Sequence, residues 1–439
     1  MAQPKPWAKR CAGTPLLIAT FWFPTLAANP EPHLTSTMNR TTFFKRSSFL
    51  RVVFLLSFSL TVQTALRAQT PAVQEHKLER GGKVSISNRN GSISITGWDK
   101  DVIEATVTGK DRSDPSAVKI SEDRPGMVSI TADGERGRHE KRLQVRLPHY
   151  AEIESASAHN GDIDVTGIEG PVKISSGSGD LKLTQVGPLT ASTGSGNIHV
   201  DQVAGRATIS AGSGDISLNH TGPLEVQAGS GDISLSDIKG SAKVQTGSGD
   251  VTAGDVGGDF IGKLSSGDLA LNRVSGLVNV SVTSGNAQVN HGGSDVRVNT
   301  ISGDISIQCV KGHVELSSAS GSMNLSSIGE DVDATTTSGD VKLTSKIRSG
   351  GRYRLKSTSG EVHMTVPTDA PGFTATLSSY SGEVETDFPL KVESSLQRGP
   401  VNRRIIGRYG DGEAQIQLDS FSTGVKLSKA SPETIKDCP

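Results

Sequence analysis

Seven aspartates have the spacing most suggestive of chemistry in this 439-residue chain. Asp180, Asp215, Asp232, Asp250, Asp268, Asp304 and Asp340 each directly follow a glycine and are separated by one or two steps of 17 or 18 residues. Carboxylates repeated at one position of a stacked unit repel one another and could take up a hard cation such as calcium between them. The competing chemistry is turn capping, because Asp, Asn and Ser all satisfy nearby backbone amides. Asn197, Asn286 and Ser322 occupy the same slot. Calcium-binding glycine–aspartate repeats place Gly-x-Asp in both turns of an 18-residue coil. Here Asp follows Gly directly and occupies one turn only, so turn capping is expected and no other cofactor is indicated.

The remaining reactive side chains offer little catalysis. The ten histidines contain no HExxH or paired ligand spacing. His220 and His291 share an outward turn position with Gln185, Asp237, Arg273 and Cys309, which reads as surface variation. The stretch Gly257–Lys263 resembles a phosphate loop, but Leu264 stands where Ser or Thr is needed and no helical pattern follows. A carbohydrate-active enzyme on polyuronides is the enzymatic alternative, yet no insertion interrupts residues 161–339 to gather such a site. A non-enzymatic contact surface is the stronger reading. It rests on a nearly uncharged outward column formed by Ser175, Ser192, Ser210, Gln227, Gln245, Ser281, Asn299, Ser317 and Thr335, with Lys263 among them. The next column, with Lys173, Glu225, Lys243, Arg297, Glu315 and Asp333, is mixed in charge.

These columns exist because the chain repeats itself. A Ser/Asn-Gly-Asp/Asn-aliphatic signature recurs at Gly161, Gly179, Gly196, Gly214, Gly231, Gly249, Gly267, Gly285, Gly303, Gly321 and Gly339, with looser copies at Gly360 and Gly382. Each unit holds two short alternating segments bounded by glycine turns, the signal of half-buried strands. Ile163, Val165, Val172 and Ile174 are expected inside and Ile168 at a corner. Two strands and two turns per 18 residues describe one coil of an all-β, right-handed parallel β-solenoid of about eleven regular coils. A solenoid has no single core whose size limits its length, which suits a chain with 50 Gly and 4% aromatics. Less regular β-rich segments at 69–160 and 346–439 flank the regular coils at 161–345 and read as caps that cover exposed strand edges.

Gly91–Val102, with its Gly-Trp-Asp element, the Ser-Gly-Asp coils, and the closing segments Gly410–Leu418 and Gly424–Leu427 together resemble the bacterial putative-adhesin family over residues 80–428. The resemblance implies an exported β-solenoid domain and leaves its biochemical role open.

Residues 1–68 read as targeting sequence. Basic residues from Arg40 to Arg51 precede the apolar run Val52–Val62 and small residues near Ala65 and Ala68, the layout of a signal peptide spanning 38–68. Residues 1–37 read as lying upstream of the true start. Membrane attachment is expected only through an uncleaved signal anchor. Cys309 and Cys438 remain after Cys11 leaves; pairing, a free thiol and an intermolecular bond are all open. With 45 Lys plus Arg against 46 Asp plus Glu, the chain lacks the basic excess of a nucleic-acid binder. The expected role is a binding or structural module of the cell envelope, periplasmic, surface-bound or secreted. Its partner would be a glycan or a surface protein.

Overall fold

The structure is a computed structural model that describes residues 74–108, 118–132, 141–398, 401–435 and Cys438. The targeting segment expected over residues 1–68, including Cys11, lies outside the described residues.

Alternation becomes architecture directly. In Ile163–Ile168 and Val172–Ser178 the aliphatic residues are buried and those between them are mostly exposed. A glycine-bounded turn at each end carries the chain from one sheet to the other. Each strand pairs in parallel with the equivalent strand of the next coil, as Leu181 with Ile198 and Val172 with Leu189. Among the described residues this produces two sheets of 18 and 19 strands, here called sheet A and sheet B. Sheet A carries the aliphatic ladder from Ile163 to Val341, in which every member is at most 1% exposed. Sheet B places Ser176, Thr193, Thr246, Thr300, Ser318 and Thr336 inside at the tight corner, all buried.

The glycine of the signature is a steric requirement. From Gly179 to Gly339 these glycines adopt φ between 111° and 149°, a region that side chains disfavour. A Cβ on Gly231 would collide with the carbonyl of Gly214 on the preceding coil.

Packing compensates where the sequence departs from its own pattern. Phe260 fills an inward position held by Ala242 and Val278 on the adjacent strands, and it is fully buried. Two residues on, Gly262 takes the inward place of Val244 and Val280. A Cβ there would lie 3.0 Å from the Phe260 ring. The large and small residues share one layer's volume, as close packing demands.

At the ends, stacking order departs from chain order. Lys83–Asn88 lies between Met127–Ala132 and Glu152–Asn160. Ala414–Ser420 is likewise inserted between Arg352–Ser359 and Phe373–Ser379. The outermost strands, Val118–Arg124 and Lys391–Arg398 in sheet B, pair antiparallel. Both ends therefore hold the first and last coils under a neighbour and turn the strand direction at the rim. These devices manage an edge that would otherwise template further pairing.

Candidate functional site

The aspartate column lies along one edge of the coils. Asp180 accepts the backbone N–H of Asn197 at 2.7 Å, Asp215 that of Asp232, Asp232 that of Asp250 and Asp250 that of Asp268. Asp268 accepts from Asn286, Asp304 from Ser322, and Asp340 from Glu361. Asn197 and Asn286 accept equivalently from Asp215 and Asp304. Each side chain thus reaches the amide one coil further along through one carboxylate oxygen, and at Asp340 the other oxygen lies 4.0 Å from the Lys342 ammonium. Among the described residues no group of three or more His, Cys, Asp or Glu is arranged to hold a metal ion.

The opposite corner is conformationally unusual. Gln185, Gln202, His220, Asp237, Cys309 and Ser327 all adopt φ between 49° and 63°, the left-handed region that costs a non-glycine residue free energy. His220 stands 3.4 Å from both Asp201 and Asp237 on the coils to either side. Cys309 departs from the surface role expected of this column. It is 6% exposed and joined to Cys438, with the two Cα atoms 5.2 Å apart across 129 residues of sequence. The Gly257–Lys263 stretch enters the strand Phe260–Ser266, with Lys263 on the outer surface, so its glycines enclose no phosphate loop.

Sheet B brings the whole expected contact column together. Register places Ser175 beside Ser192, Ser192 beside Ser210, Ser210 beside Gln227, and Gln227 beside Gln245. It continues through Lys263, Ser281, Asn299, Ser317 and Thr335. The neighbouring charged column pairs internally across coils: Lys243 with Glu225 at 2.9 Å, Arg297 with Glu315 at 3.1 Å and Arg354 with Asp333 at 3.9 Å. Their charges cancel locally, leaving hydroxyl and amide groups, with the Lys263 ammonium among them, to set the character of the face.

On the other side of the contact column runs a third outward row: Gly177, Gly194, Gly212, Gly229, Gly247, Ser265, Thr283, Ile301, Ala319, Thr337 and Thr358. In the sequence this row is hidden, because glycine reads first as a turn residue. Where it is bare, a groove of about 600 Å³ opens, lined by Ser210, Gln227, Gly229, Gln245, Gly247, Lys263 and Ser281 among others. The groove therefore lies on the expected contact column.

A profile of the Toastrack DUF4097 family matches residues 68–257 and again 253–428. The chain belongs to that family. Two overlapping matches mean that this Toastrack chain carries the family pattern from its first described strand to its last coil. No curated protein matches it. Among solved structures it is similar to one described as a putative cell adhesion protein from Clostridium sporogenes, at 11% identity over 82% of this chain and all of that one, with a TM-score of 0.15. It is also similar to one described as a putative adhesin from Parabacteroides distasonis, at 10% identity over 67% and 96% of the two chains, TM-score 0.19. A third, described as a putative adhesin from Bacteroides fragilis, is 12% identical over 68% and 98%, TM-score 0.19.

Electrostatics in this Toastrack chain are perturbed near both ends of the coils: at the N-terminal end Lys83 is held charged by Glu152 and Glu154, each 2.8 Å away. Burial works to raise the Asp331 pKa, but the Arg352 N–H at 3.0 Å and the Arg348 guanidinium at 2.8 Å overcome it and hold the carboxyl below its usual value. Burial lowers the pKa of His363, whose Nε2 lies 3.0 Å from the Ser428 hydroxyl. These sites are away from the groove.

Proposed function

We propose that this chain is an exported, non-enzymatic binding module of the bacterial envelope that engages its partner through the outer face of sheet B. The groove along Ser210, Gln227, Gln245 and Ser281 carries this reading. It is an open, hydrogen-bonding surface on a rigid sheet, flanked by charges that neutralise one another. Such a surface suits a glycan or a surface protein, whose recognition needs fixed donors and acceptors more than a reactive group. Export is supported by the signal-like layout of residues 38–68, and the aspartate edge is occupied by backbone amides. The experiment is retention of glycans and envelope extracts on the immobilised chain from residue 69. Retention by the wild type, weakened roughly tenfold by joint Gln227→Ala and Gln245→Ala substitution, is expected. Release of unsaturated or shortened products from polyuronides would instead establish the enzymatic alternative.

A further inference from the structure

Three of the five large hydrophobic side chains exposed among the described residues belong to the third outward row of sheet B. Ile301 is 59% exposed, Phe421 55% and Tyr380 46%. Phe421 and Tyr380 continue that row because Ser357 pairs with Ser420 and Ser420 with Ser379, which sets Thr358, Phe421 and Tyr380 side by side. Their rings stack with centroids 4.6 Å apart and planes 3° apart, forming a raised apolar knob near the C-terminal end. The same row is bare at Gly229 and Gly247, on the floor of the groove. Knob and groove thus lie on one line of one molecule.

Because both lie on one row, a second copy turned end for end can bring each knob to the other's groove. Seven strand steps separate Gly247 from Phe421, about 34 Å at ~4.8 Å per step. Their midpoint falls between Ile301 and Ala319. A two-fold axis running across the face at that midpoint reverses the rod and sets each row against itself, the self-complementary arrangement of an isologous dimer. Phe421 then meets the second copy's Gly247, Tyr380 its Gly229, and Ile301 its Ala319, each contact made twice. In the charged row Arg297 meets Glu315. Lys263 meets Lys356, a like-charged contact that keeps the association modest. The overlap gives on the order of 800 Å² a side if the faces lie flush, the size of a standard interface.

We propose that the partner of the sheet B face is a second copy of this chain, docked antiparallel with the Tyr380–Phe421 knob in the groove. The proposal rests on the reading of sheet B as the binding face and names its occupant. Its test is sedimentation of the chain from residue 69 over a concentration series, with Ile301→Arg and Tyr380→Ser, both exposed positions whose change leaves the core intact. A monomer–dimer equilibrium weakened roughly tenfold or more by either substitution is expected. Ala319→Cys, half a strand step from the axis and so one step along the row from its own counterpart, gives a disulfide-linked dimer under mild oxidation, whereas Ser306→Cys on the outer surface of sheet A does not. A strictly monomeric wild type, or a dimer indifferent to both substitutions, overturns the pairing. If a monomer still retains envelope material through Gln227 and Gln245, the binding face stands and only its occupant is wrong.

Discussion

The Asp250 carboxylate accepts the backbone N–H of Asp268, one coil further along, at 2.8 Å. The relationship repeats along the edge, with Asp, Asn or Ser as acceptor, so the signature that looks most like a ligand site is an axial hydrogen-bond ladder. A ladder tolerates exchange between acceptors but not their loss. Asp250→Asn is expected to change stability by less than about 0.5 kcal/mol, while Asp250→Ala costs about 1 kcal/mol, the net worth of one such bond. Denaturant unfolding measures both. Melting curves in calcium and in chelator should superimpose; a calcium-dependent rise of several degrees would show that the free carboxylate oxygens bind the ion.

Phe260 and Gly262 predict a second outcome. Phe260→Ala opens a cavity beside a residue with no side chain and should cost about 3–5 kcal/mol. Gly262→Val alone crowds the ring and costs about 1–3 kcal/mol. Made together, the two changes should cost clearly less than their sum, as expected for residues sharing one volume. Strict additivity in a double-mutant cycle would refute the coupling.

The Cys309–Cys438 link ties the C-terminal segment, with buried Ile435, to a coil corner. Oxidised protein should resist alkylation and gain two labelled thiols only after reduction. Cys309→Ser should lower stability by about 2–4 kcal/mol and admit protease near residue 431 while the coils stay intact. Labelling of both thiols without reductant would contradict the link.

His363 gives the pH dependence. Its folded pKa is depressed by burial from the ordinary 6.5, so the unfolded chain binds the proton more readily. Its contribution is fully present above pH 6.5 and is lost as pH falls from there toward the folded value. His363→Gln should flatten that part of the stability profile, read by denaturant midpoints across pH. An unchanged slope would place the acid sensitivity elsewhere, with Asp331 the next candidate. That carboxyl, depressed in the fold, loses its contribution at lower pH, as pH falls through its folded pKa.

The regular coils were legible because a period-two pattern inside an 18-residue period leaves one way to bury Ile163, Val165, Val172 and Ile174. The alignment of the proposed contact column was legible for the same reason: once register is fixed, Ser210, Gln227 and Gln245 must align. The interleaved ends were not, because stacking order depends on which coil caps which, and nothing local in Ala414–Ser420 says that it slips in before Phe373–Ser379. Cys309 looked like one more exposed corner residue, since its partner lies 129 positions away. The aromatic knob did leave a trace. Ser379-Tyr380-Ser381-Gly382 is the Ala228-Gly229-Ser230-Gly231 element with an aromatic in place of the first glycine.

The sheet B face is proposed as the surface where this solenoid meets its partner. Hydrogen exchange of the chain with and without the retained envelope ligand or second copy tests it most directly. Added protection is expected in the strands that line the groove, Ala207–Ser213, Leu224–Ser230, Ala242–Ser248, Phe260–Ser266 and Val278–Ser284. Protection confined to sheet A or to the aspartate edge would contradict it.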